Sequence, residues 1–410
     1  MTCRHCGFPL EHIFLDLGSA PATNAFLTEP DLCKEEKVFP LKLFVCAQCW
    51  LVQTEDFVRP NELFSSNYAY FSSTSQSWLD HASYYVDQMC SRFKLDARSH
   101  VIEIASNDGY LLKNFLALKI PCLGIEPTSS TAKAAEALGI PVLREFFGSQ
   151  LAICLVNQNK QADLVLGNNV YAHVPDINDF TAGLKNILKP RGVITLEFPH
   201  VLALLEENQF DTVYHEHFSY LSLHTVTLIF KKAGLKIWDV EKLSTHGGSL
   251  RVYGCHSEDQ RKITTSVKEI LAEEQRGGLK QLSTYLEFQA RADQVAKDLF
   301  SYLTELKCSG KTVAAYGAAA KGNTLLNYAG VNSDLLPYIC DAAPSKQGKY
   351  MPGSRIPIFS PNRLREKKPD IVLILPWNIS SEVVSQNLYI REWGGNFVTA
   401  IPKIRIINQY

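Results

Sequence analysis

Two strand-like stretches near the middle of the chain, 236–243 and 249–256, are separated only by Ser244-Thr245-His246-Gly247-Gly248. Five residues cannot hold a crossover helix, so the second stretch must run back antiparallel beside the first. Upstream, short apolar stretches at 100–105, 122–126, 162–167 and 193–198 alternate with amphipathic helical ones. That alternation is the mark of a doubly wound parallel sheet. The region from about 98 to 256 is therefore expected to be a parallel α/β sheet closed by one antiparallel hairpin.

A polar run, Ser72-Ser73-Thr74-Ser75-Gln76-Ser77, leads into this region through a helical stretch at 78–93. After the hairpin, a charged stretch at 257–308 with few Gly or Pro reads as one long helix or two. Gly310-Lys311 then opens new strands at 312–316, 338–341, 370–375 and 396–401, a second and smaller α/β domain. Residues 1 to about 70 carry Cys, Pro, Asn and short apolar runs such as Leu41-Lys42-Leu43-Phe44-Val45, small strands held by something other than a large core. The expected division is 1–72, 73–260 and 261–410, in keeping with a chain of 410 residues that exceeds one ordinary core.

Composition narrows the function. With 41 basic against 42 acidic side chains, the chain lacks the positive excess that a phosphate backbone demands, so no nucleic-acid partner is expected. No run reaches the roughly 18 apolar residues of a membrane span, and the start, MTCRHCGFPLEH, lacks a signal-peptide layout. No membrane partner and a cytoplasmic location are expected. In that reducing compartment eleven cysteines are not a disulfide framework.

Four of the cysteines form two close pairs, Cys3-Arg4-His5-Cys6 and Cys46-Ala47-Gln48-Cys49. Two such knuckles supply the tetrahedral thiolate set that Zn2+ prefers, and four sulfurs leave no coordination position for a reacting water, so the metal is read as structural. Gly7 after Cys6 suits the knuckle turn, whereas Trp50 in the equivalent place departs from it. The 39-residue gap between the pairs is read as an insertion in a zinc ribbon.

The stretch Val101-Ile102-Glu103-Ile104-Ala105-Ser106-Asn107-Asp108-Gly109-Tyr110 is an apolar strand, a polar turn ending in Gly, and a helix start. This arrangement brings backbone N–H groups against a ligand at the strand's carboxyl end. Ala105-Ser106-Asn107 replaces the usual glycine-rich turn. About twenty residues on, Glu126-Pro127 ends the next strand in an acid placed to hold a ribose hydroxyl pair. Gly167-Asn168-Asn169-Val170 ends a third strand beside the amino acid end of the ligand. The acid and the closing hairpin together favour S-adenosylmethionine and the class I methyltransferase fold over a dinucleotide and a dehydrogenase. No Asn-Pro-Pro-Tyr-type turn follows, which argues against an amino-group acceptor and leaves carbon or oxygen.

The densest polar cluster is Asp211-Thr212-Val213-Tyr214-His215-Glu216-His217-Phe218-Ser219-Tyr220, in the loop after a strand ending Glu197-Phe198-Pro199. Such loops face the ligand crevice, as do His173 and His246. His215 and His217 lack the i, i+4 spacing of a helical metal site, and imidazoles near neutrality suit general acid–base chemistry instead. In the last domain, Tyr316-Gly317-Ala318-Ala319-Ala320-Lys321-Gly322-Asn323 is a small-residue turn before a helix, with one lysine placed to hold a diphosphate. Close helix packing accounts for the small residues equally well. Lys346, Lys349 and Tyr350 follow the next strand and line the same mouth.

Taken in order, the Cys pairs, Glu103–Gly109 as Glu-Ile-Ala-Ser-Asn-Asp-Gly, Asn-Asn-Val-Tyr-Ala-His, Tyr-His-Glu-His-Phe-Ser-Tyr, His-Gly-Gly-Ser-Leu-Arg and Tyr-Gly-Ala-Ala-Ala-Lys-Gly-Asn resemble the sugar C-3 methyltransferases of deoxysugar biosynthesis. The resemblance runs from end to end. It implies an N-terminal zinc domain, a class I (Rossmann-like) S-adenosylmethionine domain, and a second Rossmann-like α/β domain that helps hold a nucleotide sugar. It implies C-3 methylation of a dTDP- or GDP-linked 4-keto-6-deoxyhexose, with Tyr68, His173, Tyr214, Glu216 and His217 around the sugar. His217 is then the expected base, with Tyr214 and Glu216 orienting or polarising; spacing alone leaves His215, Glu216 and Tyr214 open for that role. An O-methyltransferase acting on the same sugars and a non-catalytic binding scaffold are the rival readings.

Overall fold

In the computed structural model, which describes residues 1–55 and 71–407, the chain weaves between two units. The first contains Met1–Glu11, Cys46–Val201 and Phe218–Lys280; the second contains His12–Val45, Leu202–His217 and Gln281–Tyr410. The second unit thus begins with an antiparallel hairpin, β1 (His12–Ala20) and β2 (Phe39–Val45), lying in sequence between the two cysteine pairs.

The first unit is built on β3 (Val52–Thr54), β4 (Val101–Ile104), β5 (Cys122–Ile125), β6 (Val142–Leu143), β7 (Ala162–Asn168), β8 (Leu188–Pro199), β9 (Ser219–Tyr220), β10 (Leu235–Leu243) and β11 (Ser249–His256). Seven of these form one sheet in the order β10-β11-β8-β7-β4-β5-β6. β6, β5, β4, β7 and β8 are parallel, and β11 inserts antiparallel to β8 and to β10. The order reverses between β4 and β7, which places a ligand crevice at the carboxyl ends of those strands. β3 and β9 pair antiparallel outside this sheet.

All four residues of β4 are buried, as a central strand covered on both faces requires. Helix Gln76–Phe93 covers one face with Ala82, Tyr85, Val86 and Met89, spaced for a single helical stripe, and Ser75 caps it by accepting the Trp78 N–H. The stretch expected as one helix or two at 257–308 is instead Thr265–Arg276, Leu282–Leu286 and Phe288–Cys308. Gly277-Gly278 ends the first of these, Gly278 at φ +76°.

The second unit's main sheet consists of β12 (Val313–Tyr316), β13 (Ile339–Cys340), β14 (Ile358–Phe359), β15 (Ile371–Ile374), β16 (Asn396–Thr399) and β17 (Arg405–Ile407). Its order is β14-β13-β12-β15-β16-β17, parallel except for β17. This is again a doubly wound arrangement, with its switch point between β12 and β15.

Inside the first unit, Arg251 of β11 faces Glu197 of β8, and its Nε donates to Glu197 Oε1 at 2.7 Å. His81 Nε2 lies 2.9 Å from the other carboxylate oxygen. Burial works to raise the Glu197 pKa, but the His81 hydrogen bond and the Arg251 charge hold it below the usual carboxylate range. Both side chains are at most 2% exposed, so neither charge has water as an alternative partner. Arg251→Met should therefore cost about 3–5 kcal/mol in chemical denaturation, and pairing it with Glu197→Leu should recover most of that loss.

Candidate active site and metal centre

The Sγ atoms of Cys3, Cys6, Cys46 and Cys49 all lie within 4.8 Å of one another, with Cys3–Cys49 and Cys6–Cys46 at 3.5 Å. With Zn–S bonds of about 2.3 Å a tetrahedron has edges of about 3.8 Å, so the set fits zinc, while these spacings far exceed a disulfide bond. Each knuckle closes in the same way: Gly7 N–H donates to Cys3 O and Trp50 N–H to Cys46 O, both at 2.9 Å. Trp50 adopts φ +62° and so takes the left-handed role that Gly7 fills at +78°. Hydrogen bonds among the thiols pull Cys46 down and push Cys3 up to about 12 and Cys49 higher still. Such close thiols cannot all ionise together without a cation.

The knuckles are tied to helices of the same unit. Asn178 Nδ2 donates to the carbonyls of Arg4 and His5 at 3.0 and 2.9 Å, Lys232 Nζ donates to His5 O at 2.8 Å, and Thr225 Oγ1 donates to Cys49 O at 3.1 Å.

At the carboxyl end of β4 the turn 105–109 holds three residues with positive φ: Ala105 at +58°, Asn107 at +50° and Gly109 at +78°. Glu126, just past β5, accepts the Asn107 N–H at Oε2 and the Thr128 N–H at Oε1, each at 2.9 Å. Asn107 Oδ1 and Asp108 Oδ2 accept the Ser72 and Ser73 N–H groups at 2.9 and 3.1 Å. Among the described residues, Glu103 Oε2, Ser106 Oγ, Asp108 Oδ1, Asn169 Oδ1 and both amide atoms of Asn168 are buried without a hydrogen-bond partner. These orphaned groups gather at the ends of β4 and β7, the switch point, and suit a ligand rich in hydroxyl and amino groups. Burial, with Asp108 and Glu126 nearby, drives the Glu103 carboxyl well above its usual range, an environment that favours a cationic ligand. Asn169 Nδ2 donates to His246 Nε2 at 2.8 Å, which puts the neutral ring's proton on Nδ1. Trp78 meets His81, Tyr110 and His246. His173 is half-buried at the end of the turn Tyr171–His173. Pro127 follows Glu126 before helix Ser129–Ala137.

The polar loop 211–217 belongs to the second unit, where several contacts hold it. Trp377 Nε1 donates to Asp211 Oδ2 and Thr324 Oγ1 to Val213 O, both at 2.7 Å. His215 Nε2 lies 3.3 and 3.2 Å from the Phe39 and Pro40 carbonyls of β2, so that nitrogen carries a proton. Glu216 accepts from Asn24 Nδ2 at 2.9 Å and Thr23 Oγ1 at 3.0 Å. His217 Nδ1 is 3.1 Å from Thr212 O, and the ring centroids of Tyr214 and His217 are 4.1 Å apart. A carbonyl accepts only, so Nδ1 holds the proton and Nε2 is the basic nitrogen of neutral His217. Tyr68 lies outside the described residues.

After β12, Gly317 turns at φ +90° against Pro376, where a Cβ would come within 2.5 Å of the ring. Asp341 Oδ2 accepts the Ala318 N–H at 2.7 Å. Lys346 Nζ donates to Ala318 O at 2.9 Å and to that same carboxylate oxygen at 3.1 Å. Lys321, in the first turn of helix Ala320–Tyr328, donates to Asn378 Oδ1 at 2.8 Å. Burial lowers Lys321 to about 8 and raises Asp211 to about 7. Both amide atoms of Asn323 are buried without a hydrogen-bond partner among the described residues. Lys349 and Tyr350 sit farther along the chain in backbone pairings, Tyr350 with Leu27 and Pro357, and Tyr316 is buried in the sheet's core.

Against known proteins, this chain is 34% identical to the C-methyltransferase NovU of Streptomyces niveus over 406 residues, 99% of this chain and 96% of that one. The chain belongs to the C-methyltransferase family. Family models agree along its length: a zinc binding domain over 3–64, a methyltransferase domain over 78–240 and a C-methyltransferase C-terminal domain over 244–402. Two solved structures are also similar. An S-adenosylmethionine-dependent methyltransferase from Clostridium acetobutylicum is 12% identical over 43% of this chain and 92% of its own, at a TM-score of 0.35. Magnesium protoporphyrin IX methyltransferase from Synechocystis, with bound S-adenosylmethionine, is 12% identical over 44% and 79%, at 0.34. The fold itself is set by the strand order described above.

This C-methyltransferase therefore uses S-adenosylmethionine and holds zinc at its four-cysteine centre. Sequence reasoning missed Thr23, Asn24, Trp377 and Asn378, small or lone residues far in sequence from the groups they contact. Metal analysis of the purified enzyme should give one zinc per chain, lost on Cys46→Ser together with thermal stability. A metal-free wild type of unchanged stability would refute the assignment.

Proposed function

We propose that this enzyme methylates C-3 of a nucleotide-linked 4-keto-6-deoxyhexose, with dTDP or GDP as the nucleotide, to give a branched-chain deoxysugar. The observation that carries this reading is the His217 tautomer: Nδ1–H faces the Thr212 carbonyl at 3.1 Å, which makes Nε2 the basic nitrogen of the neutral ring. A C-methyltransferase needs a carbon nucleophile, and a ketone at C-4 makes the C-3 hydrogen acidic enough for an imidazole to remove. In this reading His217 Nε2 takes the C-3 proton, Tyr214 polarises the C-4 carbonyl as the enolate forms, and the Glu216 carboxylate orients the base. His215 donates from Nε2 to the β2 carbonyls, so by the same argument its Nδ1 is basic, and the exchange test below decides between the two rings. S-adenosylmethionine, when bound, supplies the electrophilic methyl group. The turn 105–109 with Glu103 and Asn168-Asn169 is placed to bind it, and Glu126, whose oxygens each retain a lone pair beyond the backbone bonds, to take its ribose hydroxyls. Lys321 and Asn323 at the helix start Ala320–Tyr328 are placed to take the nucleotide diphosphate, with Lys346 shaping the turn. The reading also places the enzyme in the cytoplasm, where its free thiols remain reduced.

Glu126→Ala should weaken S-adenosylmethionine binding by about 1–3 kcal/mol in calorimetry; unchanged affinity removes Glu126 from the cofactor site. The base is tested in heavy water with S-adenosylhomocysteine in place of the donor. Wild-type enzyme should exchange the C-3 hydrogen of the keto sugar nucleotide, and His217→Asn should lose about 10²–10⁴-fold of that rate while binding both ligands. Full exchange by His217→Asn moves the base elsewhere.

A further inference from the structure

The fully buried Glu216 is gripped from a part of the chain far from its own loop. Thr23 and Asn24 lie in the connection between β1 and β2, between the two zinc knuckles in sequence and 192–193 residues from Glu216. Each carboxylate oxygen receives one neutral donor from this pair: Oε1 the Asn24 amide at 2.9 Å, Oε2 the Thr23 hydroxyl at 3.0 Å. Thr23 is only 2% exposed and Glu216 3%, so the bonds are made away from solvent. Burial raises the Glu216 pKa and these two bonds work against that rise, while one donor on each oxygen fixes the plane of the group. The hairpin beneath is rooted by its own partners: Phe14 of β1 stacks on Phe288 at 5.1 Å and meets Tyr285 edge-on. The Leu27 and Tyr350 backbones pair just beyond Asn24.

We infer that Thr23 and Asn24 are positioning residues of the methyl-transfer reaction, acting through Glu216 to hold its carboxylate in one orientation and to favour its anionic form in the loop that carries Tyr214 and His217. The inference rests on the catalytic reading of the loop given above. Thr23→Ser keeps the donor, Thr23→Val removes it while keeping the shape, and Asn24→Ala removes the other. Each is compared with wild type and with Glu216→Gln for turnover of a freshly prepared 4-keto-6-deoxyhexose nucleotide and for C-3 exchange in heavy water.

Thr23→Val and Asn24→Ala should each lower kcat and the exchange rate by about ten- to a hundredfold with little change in KM, as for the loss of a hydrogen bond to a charged group. Thr23→Ser should restore most of the rate. Thr23→Val placed in the Glu216→Gln background should have no further effect, because its action runs through that carboxylate. Zinc content and S-adenosylmethionine affinity, properties of the other unit, should be unchanged in all variants. Should Thr23→Val fail to fold, Asn24→Ala and Thr23→Ser still decide the matter. Wild-type rates in both Thr23→Val and Asn24→Ala, with Glu216→Gln impaired, overturn the inference alone. A fully active Glu216→Gln, or a wild type that neither turns over nor exchanges the keto sugar, overturns the catalytic reading and the inference with it.

Discussion

Four thiolates that need one cation set the layout of this chain. Cys3 and Cys6 can meet Cys46 and Cys49 only if the residues between them form a closed excursion, and a metal clip on a loop of about 40 residues removes about 4 kcal/mol of disorder from the unfolded chain by the cross-link expression. The clip does more than close the loop. Its knuckle carbonyls accept from Asn178, Thr225 and Lys232, so the metal fastens the N-terminus to helices Ile177–Ile187 and Leu223–Lys232 of the methyltransferase unit. The excursion itself, His12–Val45, is released to pack in the second unit, where it carries Thr23 and Asn24 to Glu216. The gap read from sequence as an insertion in a zinc ribbon is therefore a working part of another unit.

Both α/β units solve the same local problem with the same device. The turn after the first strand must offer its N–H groups at the sheet's edge, and an acid just past the second strand holds it there: Glu126 on the Asn107 N–H, Asp341 on the Ala318 N–H. In the first unit the device lets the chain dispense with the usual glycines. Ala105 and Asn107 occupy left-handed backbone at a cost of about 1 kcal/mol or more each. That cost is offset by the Ala105 N–H bond to Ile125 O at 2.8 Å and by the Glu126 bond. Glycine is required beside the turn instead: a Cβ at Gly124 would lie 2.4 Å from Ser106 Oγ, and one at Gly109 2.4 Å from Ile140 Cδ1.

These placements explain what the sequence could and could not reveal. Strands β4, β5, β7, β8, β10 and β11 were legible because buried parallel strands are continuous apolar runs and the hairpin had no room for a helix. β6, β14 and β17 were not, because two or three residues carry no periodicity and exist only through their neighbours. The zinc ligands were legible because both knuckles are local. The partners of the polar loop 211–217 were hidden for the opposite reason: Trp377 meets Asp211 across 166 residues, and Thr324 meets Val213 across 111. A lone Thr or Trp in a loop has no pattern that points to such a contact.

The allotment of the loop 202–217 to the second unit follows from those same long-range bonds. Trp377 comes from the end of β15 and Thr324 from the helix that follows β12, so two elements flanking the second sheet's switch point fix the backbone at Asp211 and Val213. Between these two anchored residues lies Thr212, whose carbonyl decides which nitrogen of His217 carries the proton. The carbonyl that His217 Nδ1 faces is thus held between two residues anchored by the second unit's own elements. In the proposed reading the second unit holds the groups that move the proton, and the first holds the groups suited to the methyl donor.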